Sequence, residues 1–579
     1  MGTRSDALYS AVVDDVSAFL PLGPVDPSKL PPDVSYKQFV STSLCYDVTR
    51  KWVPDNTDKP DELALEKFLA SNKKCRDWCL RLESSWDEQL YGDFLREVDL
   101  FLHPSGEMLF SSYYDFIGLG RTGPGVALGA RGNSMYAKLF SSKLTVTSRY
   151  LYNMYKGYIS WFPTFLEAEV HRYEKYGDID ITTGSRCSFV PKTLSVSRMI
   201  CVEPSINMFC QLGLGALLEA RLSNHFDIDL ATQPQKNRTL ACVGSKDGTY
   251  STVDLSSASD SISLRLCETI FPSWFFKTLL EIRSNHTVYK GTRIPLYMIS
   301  TMGNGFTFPL QTVIFSCLVR AAYRTAGIPL YDGLAQNWAC FGDDLICDSR
   351  CYRNVIRLLS LLGFSPNASK TFFEGPFRES CGADWLFGQP ARSIYIKTLR
   401  SPQDIFVAIN LLNSWSAYTG ISLSKTIHYL HSLLSPPNKV MFVPFDENND
   451  AGIRVPSFIL PKTMRRDRNT QGLLYPVYRS HRKSLRIGDG DIRIPNGSKS
   501  LVFNPSGLYI SFLYGELVAC SVNSRAYNPS IAVRHDRVLY KRKLRCTPFW
   551  DYIPLDNLYN GTRLSWQQWE TAVAINFAN

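Results

Sequence analysis

One segment restricts the fold more tightly than any other: Trp338–Asp348, which reads WACFGDDLICD. Apolar residues run into Gly342-Asp343-Asp344, and Leu345 and Ile346 resume the apolar run. That pattern predicts a strand, a tight turn and a second strand, with two adjacent carboxylates at the tip of the hairpin. Neighbouring like charges repel, and a fold keeps them together most readily when a cation neutralises them. A solvent-exposed acidic turn would leave the same trace, so the reading depends on what else the chain carries.

Three further segments bear on it. Thr249–Ser263 reads TYSTVDLSSASDSIS, in which Thr252, Val253 and Leu255 favour a strand with Asp254 at its carboxyl end. Ser257–Asp260 is expected to cap a helix whose Ile262, Leu266 and Ile270 share one face. An ordinary capping carboxylate is the plain alternative for Asp260. Ser300–Phe308 reads STMGNGFTF: Gly303 and Gly305 flank Asn304, and a helix is expected next, with Pro309 near its first turn. Those glycines permit close backbone approach to a ligand, and the Asn304 amide can donate or accept. Val190–Pro204, VPKTLSVSRMICVEP, offers Lys192 and Arg198 as cations able to grip a triphosphate. Each piece alone also fits a helix start or a surface strand.

Composition narrows the classes. The 579 residues are 45% apolar, ample for a sizeable core, and neither a disordered, collagen-like nor coiled-coil pattern is present. Met1–Asp15 has no apolar signal region, and the longest apolar candidate, Phe306–Tyr323, is broken by Pro309, Gln311 and Arg320. The 15 cysteines show no paired spacing, which suggests reduced, buried thiols in an intracellular protein. Gly118–Gly132 lacks the Gly-Lys-Ser/Thr ending of a nucleotide-binding P-loop, and Gly213-Leu-Gly215 lacks a third glycine, so both read as turns or close-packing sites. No HExxH occurs. The net charge of +10 gathers in Lys462–Arg486, with Tyr475, Tyr478 and His481 interleaved, and in Arg534, Arg537, Lys541, Arg542, Lys543 and Arg545. Such a mixture suits a polyanion, although a solvated basic face would look alike. Helices are expected at Asp61–Leu82, with Leu63, Leu65, Phe68 and Leu69 apolar, and at Asp404–Leu434, and an exposed turn at Gly488–Gly497.

The order of the four segments decides between readings. A basic strand, an Asp after a strand, a glycine loop before a helix and a GDD hairpin follow one another within 190–348. That order resembles motifs F, A, B and C of RNA-directed RNA polymerases. TVDLSSASDSIS, MGNGFTF, FGDD and SKTFFEGPFRESCG (Ser369–Gly382) are similar, in particular, to the catalytic subunit of RNA bacteriophage (levivirus) replicases, over roughly 180–390. Two departures are visible: Phe341 stands where many relatives carry Tyr, and Ser195 where some carry another lysine, leaving Lys192 and Arg198 for the triphosphate.

The resemblance implies an α/β (α+β) right-hand polymerase. Residues 1–240 would form the N-terminal region and fingers, with the basic strand near 190–204. The palm would span 241–390 with motifs A to E, and the thumb and basic C-terminal region 391–579. It implies two Mg²⁺ ions, with Mn²⁺ as a substitute, on Asp254, Asp343 and Asp344. Asp260, helped by Asn304, would sense the ribose 2′-hydroxyl; Lys370 would protonate pyrophosphate; Phe377–Gly382 would line the primer side. RNA would meet Arg465, Arg466, Arg468, Arg482 and Lys483. Expected partners are template and product RNA, NTPs, host elongation factors Tu and Ts and a ribosomal RNA-binding protein. The setting would be the cytoplasm of an infected bacterium, with no membrane role. A reverse transcriptase and a non-catalytic RNA-binding or packaging protein are the alternatives. Gly342 and Asp260 speak against the first, and the polymerase order of the three acids against the second.

Overall fold

A computed structural model of the chain describes all residues except 1–3, 21–22, 24, 28–29, 32, 54–57, 131, 194, 482–483, 488–490, 494–499, 503, 516, 522–529, 534–537, 553–557, 560–561 and 578–579. Four helices come first: α1 (Arg4–Val16), α2 (Tyr36–Asp47), α3 (Asp58–Asp77) and α4 (Ser85–Leu102). After further short helices, the hairpin β1 (Ser185–Pro191)/β2 (Ser197–Val202) leads into α5 (Ser205–Phe226) and α6 (Gln233–Asp247). Strand β3 (Tyr250–Val253), hairpin β4 (His286–Tyr289)/β5 (Thr292–Pro295) and helix α7 (Thr307–Ala326) follow. Next come β6 (Ala339–Phe341), β7 (Asp344–Asp348), α8 (Tyr352–Leu361), and β8 (Phe377–Ser380), β9 (Ala383–Leu386) and β10 (Gln389–Pro390). The C-terminal region holds α9 (Pro402–Thr419), α10 (Ser424–Ser432), the ribbon β11 (Leu473–His481)/β12 (Leu539–Thr547) and α11 (Trp566–Phe577). The fold is mixed α and β, and among the described residues no helix is long and apolar enough to cross a membrane.

Local chemistry explains the boundaries. Ser35 and Gln38 form a capping box at α2, and Ser401 and Asp404 form one at α9. The single helix expected over Asp404–Leu434 is two, because Gly420 closes α9 in the left-handed region at φ 67°. Likewise α3 stops at Asp77. Its buried stripe is Ala64, Phe68 and Cys75, of which Phe68 and Cys75 cluster with Met199 and Cys201, whereas Leu63 and Leu69 are 50% and 41% exposed. The two glycine motifs are packing devices: a Cβ on Gly120 would lie 2.1 Å from the Phe209 ring, and one on Gly213 would lie 2.1 Å from the Phe116 carbonyl. Among the described cysteines, Cys79 and Cys546 are exposed, contrary to a uniformly buried set. Part of the expected turn at Gly488–Gly497 falls outside the described residues, and Asp491–Arg493 within it is strand.

Two hydrophobic cores organise these elements. The first runs from Leu90 to Phe364, centred on the almost wholly buried α7, and takes in Leu508 and Ile510. The second joins Leu8–Val48 of the N-terminus to Leu386–Val573 of the C-terminal region, with Trp415 and Trp569 at its middle. Residues 1–240 are therefore not one packing unit, because α1 and α2 bury their apolar faces against the C-terminal helices. Arg4 donates to the Leu399 carbonyl at 2.6 Å, and Asp15 accepts from the backbone N–H groups of Lys425 and Thr426. Leu44→Ala is expected to cost about 2–5 kcal/mol and to increase protease cleavage within 402–477; unchanged protection there would contradict the shared core.

Candidate active site

The central sheet has the order β3–β7–β6, antiparallel throughout. Val253 pairs with Leu345, so Asp254, one residue on, stands at the same end of the sheet as the β6–β7 turn. That turn is Gly342-Asp343, closed by the pairing of Phe341 with Asp344. Gly342 has φ 61°, and a Cβ there would lie 2.4 Å from the Phe308 ring of α7. Only glycine fits both the left-handed backbone and that contact. The turn is anchored to α7 by the Gly342 N–H donating to Thr312 Oγ1 at 3.1 Å. Phe341 packs edge-on against Phe308, with ring centroids 4.8 Å apart, a contact that needs no tyrosyl hydroxyl.

A cleft of about 550 Å³ opens over this end of the sheet. It is lined by Asp254, Asp343, Asp260, Asn304, Lys192 and Arg198 among others, so the structure brings together residues from all four sequence segments. Asp344 does not line it. Its backbone carbonyl accepts from Asn237 of α6, and burial, then repulsion from Asp343 and Asp254, pushes its carboxyl up to about 7. Burial likewise raises Asp254, an effect opposed by the Lys370 charge and the Asn367 amide, which donates to Asp254 Oδ2 at 2.9 Å. Lys370 is disfavoured by burial yet held above the usual lysine range by Glu379 and Asp254. Glu379 accepts from Lys370 Nζ at 3.2 Å and from Arg392 at 3.2 Å, and Arg392 also reaches Asp384 at 2.8 Å.

The carboxylates are hard oxygen donors suited to a magnesium-type cation. Asp254 and Asp343 share one cleft, and burial, with repulsion between the acids behind it, disfavours bare charge on Asp254 and Asp344, so the residues present fit a divalent cation. Among the described residues, no three acidic, histidine or cysteine side chains already form a ready ligand set.

Asp260 is 7% exposed and sits in a short 3₁₀ turn (Ala258–Asp260), where it accepts from the Met302 N–H at 3.4 Å. Contrary to the expectation, it does not cap the next helix. That helix is Leu264–Ile270, and its cap is Ser263, whose Oγ accepts from the Arg265 N–H. Burial pushes the Asp260 carboxyl up to about 6, offset in part by the Met302 N–H and by Lys67 and Arg198. Asn304 spends its oxygen on the N–H and hydroxyl of Thr301, each at 2.8 Å, so it has only its amide N–H₂ to offer. Gly303 lines the cleft and Gly305 does not, and both glycines also let the loop pack closely on protein. A Cβ on Gly303 would lie 2.2 Å from the Cys201 carbonyl of β2, and one on Gly305 would lie 2.7 Å from Leu212 of α5.

Sequence reading missed the support beneath this loop. The Gly305 N–H donates to Gln211 at 3.0 Å, and Gln211 in turn donates to Glu203 at 3.0 Å, as does Ser284 at 2.8 Å. Glu203 is fully buried, and burial pushes it up to about 7. Glu379 and Lys67 were also missed. An isolated Glu in a strand and an isolated Lys on a helix carry no pattern until the fold places them.

Among the described residues, the C-terminal cations do not line the cleft. Arg465, Arg466 and Arg468 are exposed on the loop before β11. Arg479 and Arg545 of the ribbon both pair with the buried Glu447, at 2.6 and 2.8 Å. Lys541, Arg542 and Lys543 remain exposed along β12. Arg482, Lys483, Arg534 and Arg537 lie outside the described residues.

The family model for RNA replicase, beta-chain, matches residues 4–451. This chain belongs to the RNA replicase beta-chain family. The beta chain of the RNA-directed RNA polymerase of Escherichia phage MS2 is 39% identical over 255 residues, 43% of this chain and 45% of that one. The RNA-directed RNA polymerase subunit beta of Qbeta virus (strain MX1) is 39% identical over 357 residues, 58% of each chain. The corresponding subunit of Enterobacteria phage SP is 32% identical over 402 residues, 65% of this chain and 64% of that one. The matched portion thus spans about half to two thirds of these replicase relatives' lengths. Among solved structures, the RNA-dependent RNA polymerase of a human picorbirnavirus is similar over 67% of this chain and 72% of that chain, at 10% identity and a TM-score of 0.35.

The buried acid beneath the replicase loop gives a pH signature. Glu203 has its folded value, about 7, above its ordinary 4.5. The stability associated with its neutral form is full below about pH 4.5 and is lost as pH rises through about 7. Glu203→Gln keeps an oxygen for Gln211 and Ser284 and removes the charge. It is therefore expected to raise the melting temperature over the parent at pH 8 and much less at pH 5. An equal difference at both values would show that Glu203 is not the titrating group.

Proposed function

We propose that the chain is an RNA-directed RNA polymerase that replicates a single-stranded RNA phage genome by nucleotidyl transfer from NTPs to a growing 3′ end. The observation that carries this is the pairing of β3 with β7, which sets Asp254 and Asp343 on one cleft in a member of the replicase beta-chain family. Asp254 and Asp343, with Asp344 beside them, would hold two Mg²⁺ ions. Bound there, the metal supplies charge neutralisation for the phosphates and a lowered pKa for the 3′-hydroxyl. The 3′-oxygen forms a bond to the α-phosphorus, the bond from that phosphorus to the bridging oxygen breaks, and pyrophosphate leaves.

The chain's own groups orient this exchange. Lys192 and Arg198 face the triphosphate. Lys370, kept charged by Glu379, donates a proton to the departing pyrophosphate oxygen. Asp260 accepts the ribose 2′-hydroxyl; a buried acceptor left without a donor costs about 1–3 kcal/mol. On this reading the β3–β7–β6 sheet is the palm of a right-hand polymerase, with fingers before it and a thumb after it. The basic C-terminal ribbon takes RNA, and Lys370 and Phe377–Gly382 serve as motifs D and E. Host elongation factors Tu and Ts, and a ribosomal RNA-binding protein, are the partners that the levivirus resemblance implies, in the cytoplasm of the infected bacterium.

Two measurements test the proposal. Template-dependent incorporation of labelled NTPs is expected to require Mg²⁺ and to fall in Asp343→Asn by more than the about 10–100-fold seen when a group behind a metal ligand is lost, with RNA binding retained. Near-full activity in that variant would overturn the metal assignment. Asp260→Ala is expected to lower the preference for NTPs over dNTPs by a factor of about 5–150. An unchanged preference would remove Asp260 from sugar recognition.

A further inference from the structure

We infer that Lys67, on α3, is a third cation of the nucleotide cleft and grips the triphosphate of the incoming nucleotide. The inference rests on the polymerase reading above and deepens it. Lys192 and Arg198 reach the cleft from the β1–β2 hairpin, and Ser195 supplies no further charge between them. Lys370, which also lines the cleft, is already engaged by Glu379 at 3.2 Å. A further side-chain partner for the phosphate oxygens comes from a part of the chain far from the sequence motifs.

Helix geometry sets it there. Ala64, Lys67 and Phe68, at spacings of three and four, lie on one face of α3, and all three line the cleft. The helix is pinned close by. Asn72 donates to the Pro295 carbonyl and accepts from the Tyr297 N–H, each at 2.8 Å. Ser263 donates to the Cys75 carbonyl at 2.7 Å, and Lys74 donates to Ser365 Oγ at 2.8 Å. Phe68 and Cys75 pack on Met199 and Cys201 of β2, the strand that carries Arg198. So α3 is fixed to the strand bearing one cation and to the segment after Asp260.

Lys67 lines the same cleft as Asp260, Lys192 and Arg198, near enough for its charge to favour the Asp260 carboxylate. Among the described residues, neither Lys67, Lys192 nor Arg198 is salt-bridged, whereas Lys370, Arg378 and Arg392 around the same site all have protein partners. Three unpaired cations converging on one cleft leave their counter-charge to a ligand. The ligand chemistry is phosphate, and its source is either the incoming nucleotide or the template backbone. The nearness to Asp260, in a cleft that also holds the catalytic carboxylates, favours the nucleotide.

The test uses the full-length chain, purified with whatever host proteins accompany it, and single-nucleotide extension on a defined RNA. Lys67 is exposed, so Lys67→Ala is expected to fold with an unchanged melting temperature. Its KM for the NTP should rise about tenfold or more, the gain expected of a charge-assisted contact. Inhibition by added pyrophosphate should weaken in proportion, RNA affinity should stay the same, and Lys67→Arg should recover most of the loss. A KM within about twofold of the parent would overturn the inference, and so would a loss of RNA affinity with pyrophosphate inhibition unchanged, which would assign Lys67 to the template. In either case an active parent and an inactive Asp343→Asn would show that the polymerase reading itself stands. A parent that incorporates no nucleotide would overturn both.

Discussion

The site depends on a contest between backbone pairing and electrostatic repulsion at one end of a three-stranded sheet. Four backbone pairs join β3 to β7, and the β6–β7 turn is locked to α7 through Gly342, Thr312 and Phe308. Together they hold Asp254, Asp343 and Asp344 near one another although the three charges repel. The carboxyls of Asp254 and Asp344 are pushed up first by burial and then by repulsion from their acidic neighbours. An uncommitted acidic turn would relax by splaying into solvent, whereas this one is tethered by the Gly342 N–H bond to Thr312 Oγ1 and by strand pairing on both sides of the turn.

The rest of the molecule reinforces that end of the sheet. On the other edge of β3, Thr252 exchanges two backbone hydrogen bonds with Phe372, and the same loop delivers Asn367 to Asp254 and Lys370 to Glu379. Arg378, fully buried, donates to the Tyr250 carbonyl and to carbonyls of its own loop, fixing the strand's start. Across the cleft, Glu203 and Gln211 set the height of the Gly305 loop. The acids Asp254 and Asp343 and the cations Lys192 and Arg198 thus enter one cleft from separate, internally braced segments. The N-terminal helices contribute twice, α3 to the cleft wall and α1 with α2 to the second core.

Much of this was legible in the sequence, because it is written in short contiguous patterns. The GDD hairpin, the strand before Asp254 and the helix after Phe306 each follow from a few neighbouring residues. Where reading failed, the deciding partner lay far along the chain. Gly303 and Gly305 announce close approach, yet whether the approaching group is a ligand or β2 and α5 cannot be told from STMGNGFTF. Ser257–Asp260 has the composition of a helix cap, but the pairing of Ser263 with Met298 moves the helix start to Leu264. The second core joins segments some 400 residues apart in sequence, such as Asp15 with Thr426, which no local periodicity reports. Lys67 and Glu379 are single charges whose meaning is set entirely by what faces them.

On the proposed reading, the β3–β7 register makes the sheet end a divalent-cation site. Metal-directed cleavage reads this without reference to activity: Fe²⁺ exchanged into the full-length chain generates hydroxyl radicals that cut the backbone beside the bound ion. The expected result is cleavage near both Asp254 and Asp343, competed by Mg²⁺ and lost in Asp343→Asn. Cuts confined to other segments, or cuts at these two positions that persist in the variant, would contradict it.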